Sequence, residues 1–368
     1  MHFTCSASRL IEGLQTVVKA LPSRTTNPIL EGILVETAED SLVLTCSDER
    51  LTIVTRIEAE IARHGRGVVP GRLFSEIVRR LPEGNVDVDM NERFVFTVRS
   101  AQFRTNISGQ DADLFPALPK MEAPQDILLP QDMLKSMIQR TEFSIAQEDM
   151  REVLTGCYLE IGGGNVTMVG LDGFRMALCR GQCAEVTARA SAIIPGRAIS
   201  DIGKLLSADD DAFLTLSLDG NKLRLEMENT TVYVILIGGE YVNYRQIMPS
   251  SFKTTVRAPL AELRSCVDRA SLIAREGNNW LIMKIQDGVM AIEAHSQIGD
   301  VHEELPISQE GENINIAFNV KYIMDVVRFV ESDEIEMCMN TPVTPCVITP
   351  VGSGEYLHLI LPLRMGNA

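Results

Sequence analysis

A chain of 368 residues with 45% hydrophobic and 23% charged residues has the balance of a globular protein, and at roughly 150 residues per domain it suits two or three domains with cores of their own. No apolar run approaches the ~20 residues of a membrane span, and the opening MHFTCSASRL has no basic stretch leading into an apolar one, so no membrane partner and no secretory leader are expected, and the expected location is the cytoplasm. The net charge of −16 speaks against a nucleic-acid partner unless the basic residues are gathered on one surface.

Each third of the chain opens with a short strand running into a longer helical pattern, at residues 2–22, 126–146 and 253–274. Ser6 or Ser8 suits the first helix as N-cap, and Pro130 and Pro259 stand near the starts of the other two, where a missing N–H costs nothing. Alternating segments joined by turn residues follow. Hairpins are expected over Ile161–Val169 through three glycines, over Leu214–Met227 through Asp219-Gly220, and over Ile285–Ala294 through Asp287-Gly288. A second, shorter helix comes next, then strands such as Arg93–Arg99, Lys222–Glu228 and Ile335–Met339, and a closing strand at Gln102–Ile107, Thr231–Ile237 and Tyr356–Leu361. Pro116–Gln125 and Met248–Lys253 read as linkers. The architecture predicted is α+β, in three similar domains each built of two strand-helix-strands units.

The second helices carry the repeat most plainly. In VPGRLFSEIVRRLP (69–82), Leu73, Phe74, Ile77, Val78 and Leu81 form an apolar stripe, while Arg72, Glu76 and Arg79 lie within about 60° of one another on the other face. The same basic-acidic-basic row recurs as Arg197, Asp201 and Lys204 and as Lys321, Asp325 and Arg328, at steps of 125 and 124 residues. The six helical stretches hold 14 Lys and Arg against 9 Asp and Glu, a balance of +5, and the remaining 20 basic and 41 acidic residues carry −21. Helices sharing one surface would therefore form the one region that welcomes a polyanion. Weak backbone contact of this kind suits holding duplex DNA without fixing a position on it.

Catalytic signals are weak. The five histidines are dispersed, and the eight cysteines form no CxxC pair and no zinc-spaced cluster, so no metal and no cofactor are expected. Asp172 in LDGFR (171–175), with Arg175 beside it, reads either as a general base or as part of a turn or a strand-end ion pair, and Asp209–Asp211 could be called a metal cluster but, between a helix and a strand, reads better as a solvated turn. No stretch supplies nucleophile, base and orienting group together, and no enzyme is expected.

From Phe3 to Met365 the chain resembles the bacterial β sliding clamps, the processivity subunits of the replicative DNA polymerase. The motifs that carry the resemblance are SRTTNPILEGILVE (23–36), VPGRLFSEIVRRLP (69–82), FRTNISGQDADLFPALP (103–119), LTGCYLE with LDGFRMALC (154–160 and 171–179), FNVKYIMDVV (318–327) and LPLRM (361–365). The resemblance implies domains at 1–120, 121–250 and 251–368, and a head-to-tail homodimer whose ring of six domains surrounds duplex DNA. It implies DNA contacts at Arg24, Arg72, Arg79, Arg80, Arg197, Lys204, Lys321 and Arg328, whereas Glu148, Glu152 and Val153 replace the glutamine and tyrosines of a family DNA loop. It further implies that the replicative polymerase, a clamp loader and repair proteins dock short linear peptides between the second and third domains. That pocket maps to Leu154, Leu171, Gly173, Phe174, Arg175, Met176, Ile247, Asn319, Tyr322, Leu359, Ile360, Leu361, Pro362, Leu363, Arg364 and Met365, with Arg175 and Arg364 expected to hold polar groups of the peptide. Phe174 stands where the family has histidine. The rim Tyr241-Val242-Asn243-Tyr244 replaces Phe-Pro-Asp-Tyr and Gln246 replaces a basic residue, so an altered peptide preference is expected. The subunit interface maps to Arg104, Thr105 and Ile107 against Leu272 and Ile273, with Thr105 in place of an apolar residue.

Overall fold

A computed structural model of the chain describes residues 1–183 and 189–365. The first third runs β1 (His2–Ser6), α1 (Ala7–Val17), β2 (Gly32–Thr37), β3 (Ser41–Ser47), β4 (Leu51–Glu58), β5 (Glu60–Arg63), β6 (Arg66–Pro70), α2 (Gly71–Arg79), β7 (Asn85–Met90), β8 (Val95–Ser100) and β9 (Phe103–Ser108). The second runs β10 (Gln125–Pro130), α3 (Gln131–Thr141), β11 (Gly156–Gly162), β12 (Asn165–Leu171), β13 (Arg175–Gln182), β14 (Ala190–Pro195), α4 (Gly196–Gly203), β15 (Phe213–Asp219), β16 (Lys222–Glu226) and β17 (Thr230–Ile235). The third runs β18 (Thr254–Pro259), α5 (Leu260–Arg275), β19 (Trp280–Gln286), β20 (Val289–Ser296), β21 (Gly299–Pro306), β22 (Ser308–Gly311), β23 (Ile314–Asn319), α6 (Val320–Phe329), β24 (Glu334–Met339), β25 (Cys346–Pro350) and β26 (Tyr356–Ile360). One strand, one helix and three strands, twice over, is the unit of every third; the first and last add a short strand at β5 and β22.

Local chemistry sets these elements. Ser6 caps α1 by accepting from the Arg9 N–H, and the helix buries Ala7, Leu10, Leu14 and Val17 at helical spacing. Pro130 ends β10 immediately before α3, and Pro259 is the N-cap of α5, near the helix starts as the sequence suggested. The β11–β12 turn places Gly163 and Gly164 at φ 61° and 75°, and the β19–β20 hairpin turns through Asp287 and Gly288 at φ 52° and 81°. Two successive left-handed residues make a turn whose twist matches the strands it joins. In α2 the core takes Phe74 and Val78, while Leu73 is 51% exposed. It sits about 100° from Phe74, on the flank of a helix too short to bury a wider stripe.

The chain divides into two compact units, Met1–Asp132 with Lys204–Leu236, and Met133–Gly203 with Ile237–Ala368. The first holds a five-stranded sheet, β5-β1-β7-β8-β9, and an eight-stranded one, β10-β15-β16-β17-β4-β3-β2-β6. The second holds a nine-stranded sheet, β14-β11-β12-β13-β26-β25-β24-β18-β22, and a four-stranded one, β21-β20-β19-β23. Two sheets thus run across repeat boundaries. β17 pairs antiparallel with β4 from Thr230↔Thr55 to Val234↔Leu51, and β26 pairs with β13 from Ile360↔Arg175 to Tyr356↔Cys179.

Candidate functional site

In the second unit, cross-strand pairing lays side chains out in rows along one sheet face. Leu171, Met176, Leu359 and Val347 stand opposite one another across β12, β13, β26 and β25. The next row on that face is Ile193, Tyr158, Val169, Leu178 and Leu357. Leu154, Tyr241 and Tyr244 join them in one apolar cluster, and Val153, Val242, Ile247 and Met248 pack against it. Tyr158 stacks on Tyr241 with ring centroids 4.9 Å apart, which ties the segment after β17 to β11. Burying a Leu or Met side chain in such a floor is worth about 1.5–3 kcal/mol, so the two sides of the strand junction are held by their side chains as well as their ladders.

Of the positions suggested by resemblance, Leu154, Leu171, Met176, Ile247 and Leu359 come together in this cluster. Gly173 occupies φ 87°, which a side chain would strain, and Phe174 beside it is 62% exposed at the rim. The Leu361 N–H donates to the Phe174 carbonyl at 2.8 Å, and the Leu363 N–H to Ala317 at 2.7 Å, so the closing segment is strapped to both flanks of the cluster. Pro362 is half-buried, while Arg364 and Met365 are exposed. Ile360 alternates with Leu359 and is buried away from the cluster face.

Arg175 is held from within the protein. Its guanidinium is buried, donates to Asp172 Oδ2 at 3.0 Å, to Asp325 Oδ2 at 2.5 Å and to the Phe143 carbonyl, and lies 4.4 Å over the Tyr322 ring. Three of its five N–H donors are engaged inside the protein, so Arg175 braces the site. Asp172 Oδ1 accepts from the Phe174 and Arg175 N–H groups at 2.9 Å, which makes a turn, and its Oδ2 makes the ion pair with Arg175. Asn319 caps α6 by accepting from the Lys321 N–H, which sets Tyr322 under Arg175. Sequence reading missed Phe143 and the inward turn of Asp325, whose partner lies 150 residues away; no local signal marks that pair. Nearby, His358 is fully enclosed, and burial with the Arg175 charge holds its imidazole far below the usual range, at about 3.

The helix cations are solvent-exposed in both units. In the first unit the Arg72 Nη2 donates to Pro22 at 3.1 Å, bringing it to the loop that carries Arg24, and Arg79 and Arg80 both pair with Glu76, at 2.5 and 3.0 Å. In the second unit Arg197 pairs with Asp201 at 4.0 Å, and among the described residues no carboxylate pairs with Lys321 or Arg328 because Asp325 has turned to Arg175. Lys204, in the first unit, is exposed, as are Glu148 and Glu152, with Val153 half-buried. At the edges, β9 is the last strand of its sheet, with Arg104 exposed, Thr105 half-buried and Ile107 turned into its own core. β21 is likewise a sheet edge, and on α5 Leu272 is 65% exposed with Ile273 half-buried. Among the described residues no group of His, Cys, Asp and Glu is placed to hold a metal, and no helix is long and apolar enough to cross a membrane.

Models of the N-terminal, central and C-terminal domains of the DNA polymerase III beta subunit match residues 1–119, 128–243 and 245–364 in turn. This chain belongs to the DNA polymerase III beta subunit family. The beta sliding clamp of Bacillus subtilis is 31% identical over 99% of this chain and 100% of its own length, and that of Staphylococcus aureus 32% identical over 99% of each. Among solved structures, a beta subunit from Eubacterium rectale (34% identity, TM-score 0.94, 99% of this chain and 100% of that one) and the Bacillus subtilis sliding clamp (30%, TM-score 0.94, 100% of each) share the whole fold. The three-domain α+β architecture is therefore that of the sliding clamps.

Proposed function

We propose that the protein encircles duplex DNA as a head-to-tail homodimeric ring and tethers the replicative polymerase and repair proteins to it. The observation that carries this reading is a pattern of strand edges. β4, β13 and β21 are the same strand of three repeats, starting at 51, 175 and 299, and β9, β17 and β26 are the three closing strands. Within the chain, β17 pairs with β4 and β26 with β13. By the same rule β9 requires β21, which only a second copy can offer in a closed arrangement. Reciprocal β9–β21 pairing of two chains uses every such edge and closes a heterologous ring, whereas an unpaired flat edge invites open-ended association.

Topological linkage supports the rest. A ring needs no tight phosphate clamp, which agrees with helix cations partly offset by Glu76 and Asp201. Arg24, Arg72, Arg79, Arg80, Arg197, Lys204, Lys321 and Arg328 are the proposed duplex contacts. The apolar floor around Leu171, Met176 and Leu359 takes the anchors of a partner's linear peptide, with Gly173, Phe174, Ile247 and the segment to Met365 as its rim. The protein acts in the cytoplasm as a tether and not as a catalyst, and a separate ATP-driven loader opens the ring. The test is retention on circular against linear duplex DNA after loading, at raised salt. Retention on the circle alone is expected, and equal loss from both would overturn encirclement.

A further inference from the structure

Beyond the apolar rows of the β11–β14 face, the same sheet continues into a polar groove of about 840 Å³. The row after Tyr158, Val169 and Leu178 is Glu160, Thr167 and Arg180, two residues and so about 6.8 Å further along the strands. Arg189 and Arg245 line the groove as well. Among the described residues its one carboxylate is already engaged, since Glu160 Oε2 accepts from the Tyr244 hydroxyl at 2.9 Å and from Arg245 at 2.6 Å. Arg180 and Arg189 are exposed, and among the described residues no carboxylate pairs with either. On a chain of net charge −16, Arg180 and Arg189 beside the Glu160–Arg245 pair give the described residues of the groove a local positive field directly continuous with the apolar floor.

We infer that this groove is a second recognition site, which takes an acidic run flanking the apolar anchors of the docking peptide. The inference rests on the peptide-pocket reading above and adds a specificity determinant to it. A carboxylate extending two residues beyond the anchor row would lie within reach of Arg180, and the next within reach of Arg189, while the anchors stay on the Leu171 and Tyr158 rows. Such contacts are exposed and salt-screened, so they grade partners by affinity and on-rate more than they supply the bulk of binding.

Fluorescence anisotropy with the full chain tests this, using a core peptide with two apolar anchors and neutral flanks, and versions with four glutamates on either side. At ~0.05 M salt one acidic version is expected to bind about tenfold tighter than the core, with the advantage shrinking to about twofold near 0.5 M. The Arg180→Glu/Arg189→Glu variant is expected to lose that advantage with core-peptide affinity unchanged, and Arg180→Gln/Arg189→Gln to lose part of it. No gain from either extension, or a gain that survives the charge reversal, overturns the inference while leaving the pocket standing. Displacement of the acidic peptide by a duplex oligonucleotide, dependent on the same two arginines, would make the groove a nucleic-acid site and overturn it too. Failure of the core peptide itself to bind would sink the pocket reading, and the inference with it.

Discussion

Replacing Arg175 by leucine removes the cation shared by Asp172 and Asp325, whose side chains are 13% and 21% exposed against 8% for Arg175. Removing one partner of a buried pair costs about 3–5 kcal/mol, because the charge left behind has no compensation. Water reaches both carboxylates here, so the lower half of that range applies, and the orphaned Phe143 carbonyl adds about 1 kcal/mol. We therefore expect Arg175→Leu to destabilise the unit of residues 133–203 and 237–368 by about 4–5 kcal/mol. Asp325→Leu removes one charge-assisted hydrogen bond, at about 2 kcal/mol. If the pair is a brace, the double variant costs about as much as Arg175→Leu alone, a coupling of about 1–3 kcal/mol in a double-mutant cycle. Urea unfolding followed by tryptophan fluorescence reads this directly, since Trp280, the one tryptophan, lies in that unit. A loss below about 1 kcal/mol for Arg175→Leu, or strict additivity in the double variant, would refute the brace.

His358 gives a pH dependence of defined sign. Its folded value, about 3, lies below the ~6.5 of an unfolded histidine, so the unfolded chain binds the extra proton and stability falls as pH drops below 6.5, by about 1.4 kcal/mol per unit until about pH 3. His358→Gln should flatten that slope between pH 7.5 and 5.5 relative to the parent, and an unchanged slope would show the imidazole is not the group responsible. Charge reversal at Arg72, Arg197 and Lys321 together is expected to abolish DNA retention while peptide affinity holds within about twofold; loss of both would indicate misfolding and not a lost interface. Arg104→Pro at the β9 edge removes an N–H that faces away from β8 and should convert a dimer into monomers by light scattering, with secondary structure by circular dichroism unchanged. A persisting dimer would place the interface elsewhere.

What the sequence determined by itself was local and periodic. Paired turn residues at 163–164 and 287–288, the Ser6 cap and the three basic-acidic-basic rows are short-range features, and they specified the hairpins, the helix starts and the threefold repeat. Five positions that the resemblance suggested, Leu154, Leu171, Met176, Ile247 and Leu359, share one apolar cluster. Only the tertiary structure decided how the repeats join, since an antiparallel ladder between β17 and β4 or β26 and β13 depends on which edges meet and leaves no mark in either strand alone. It also decided the fate of individual charges. Asp325 looks like Glu76 and Asp201 in sequence, yet Arg175 draws it inward, because a buried guanidinium must find its counter-charge wherever the fold brings one within reach.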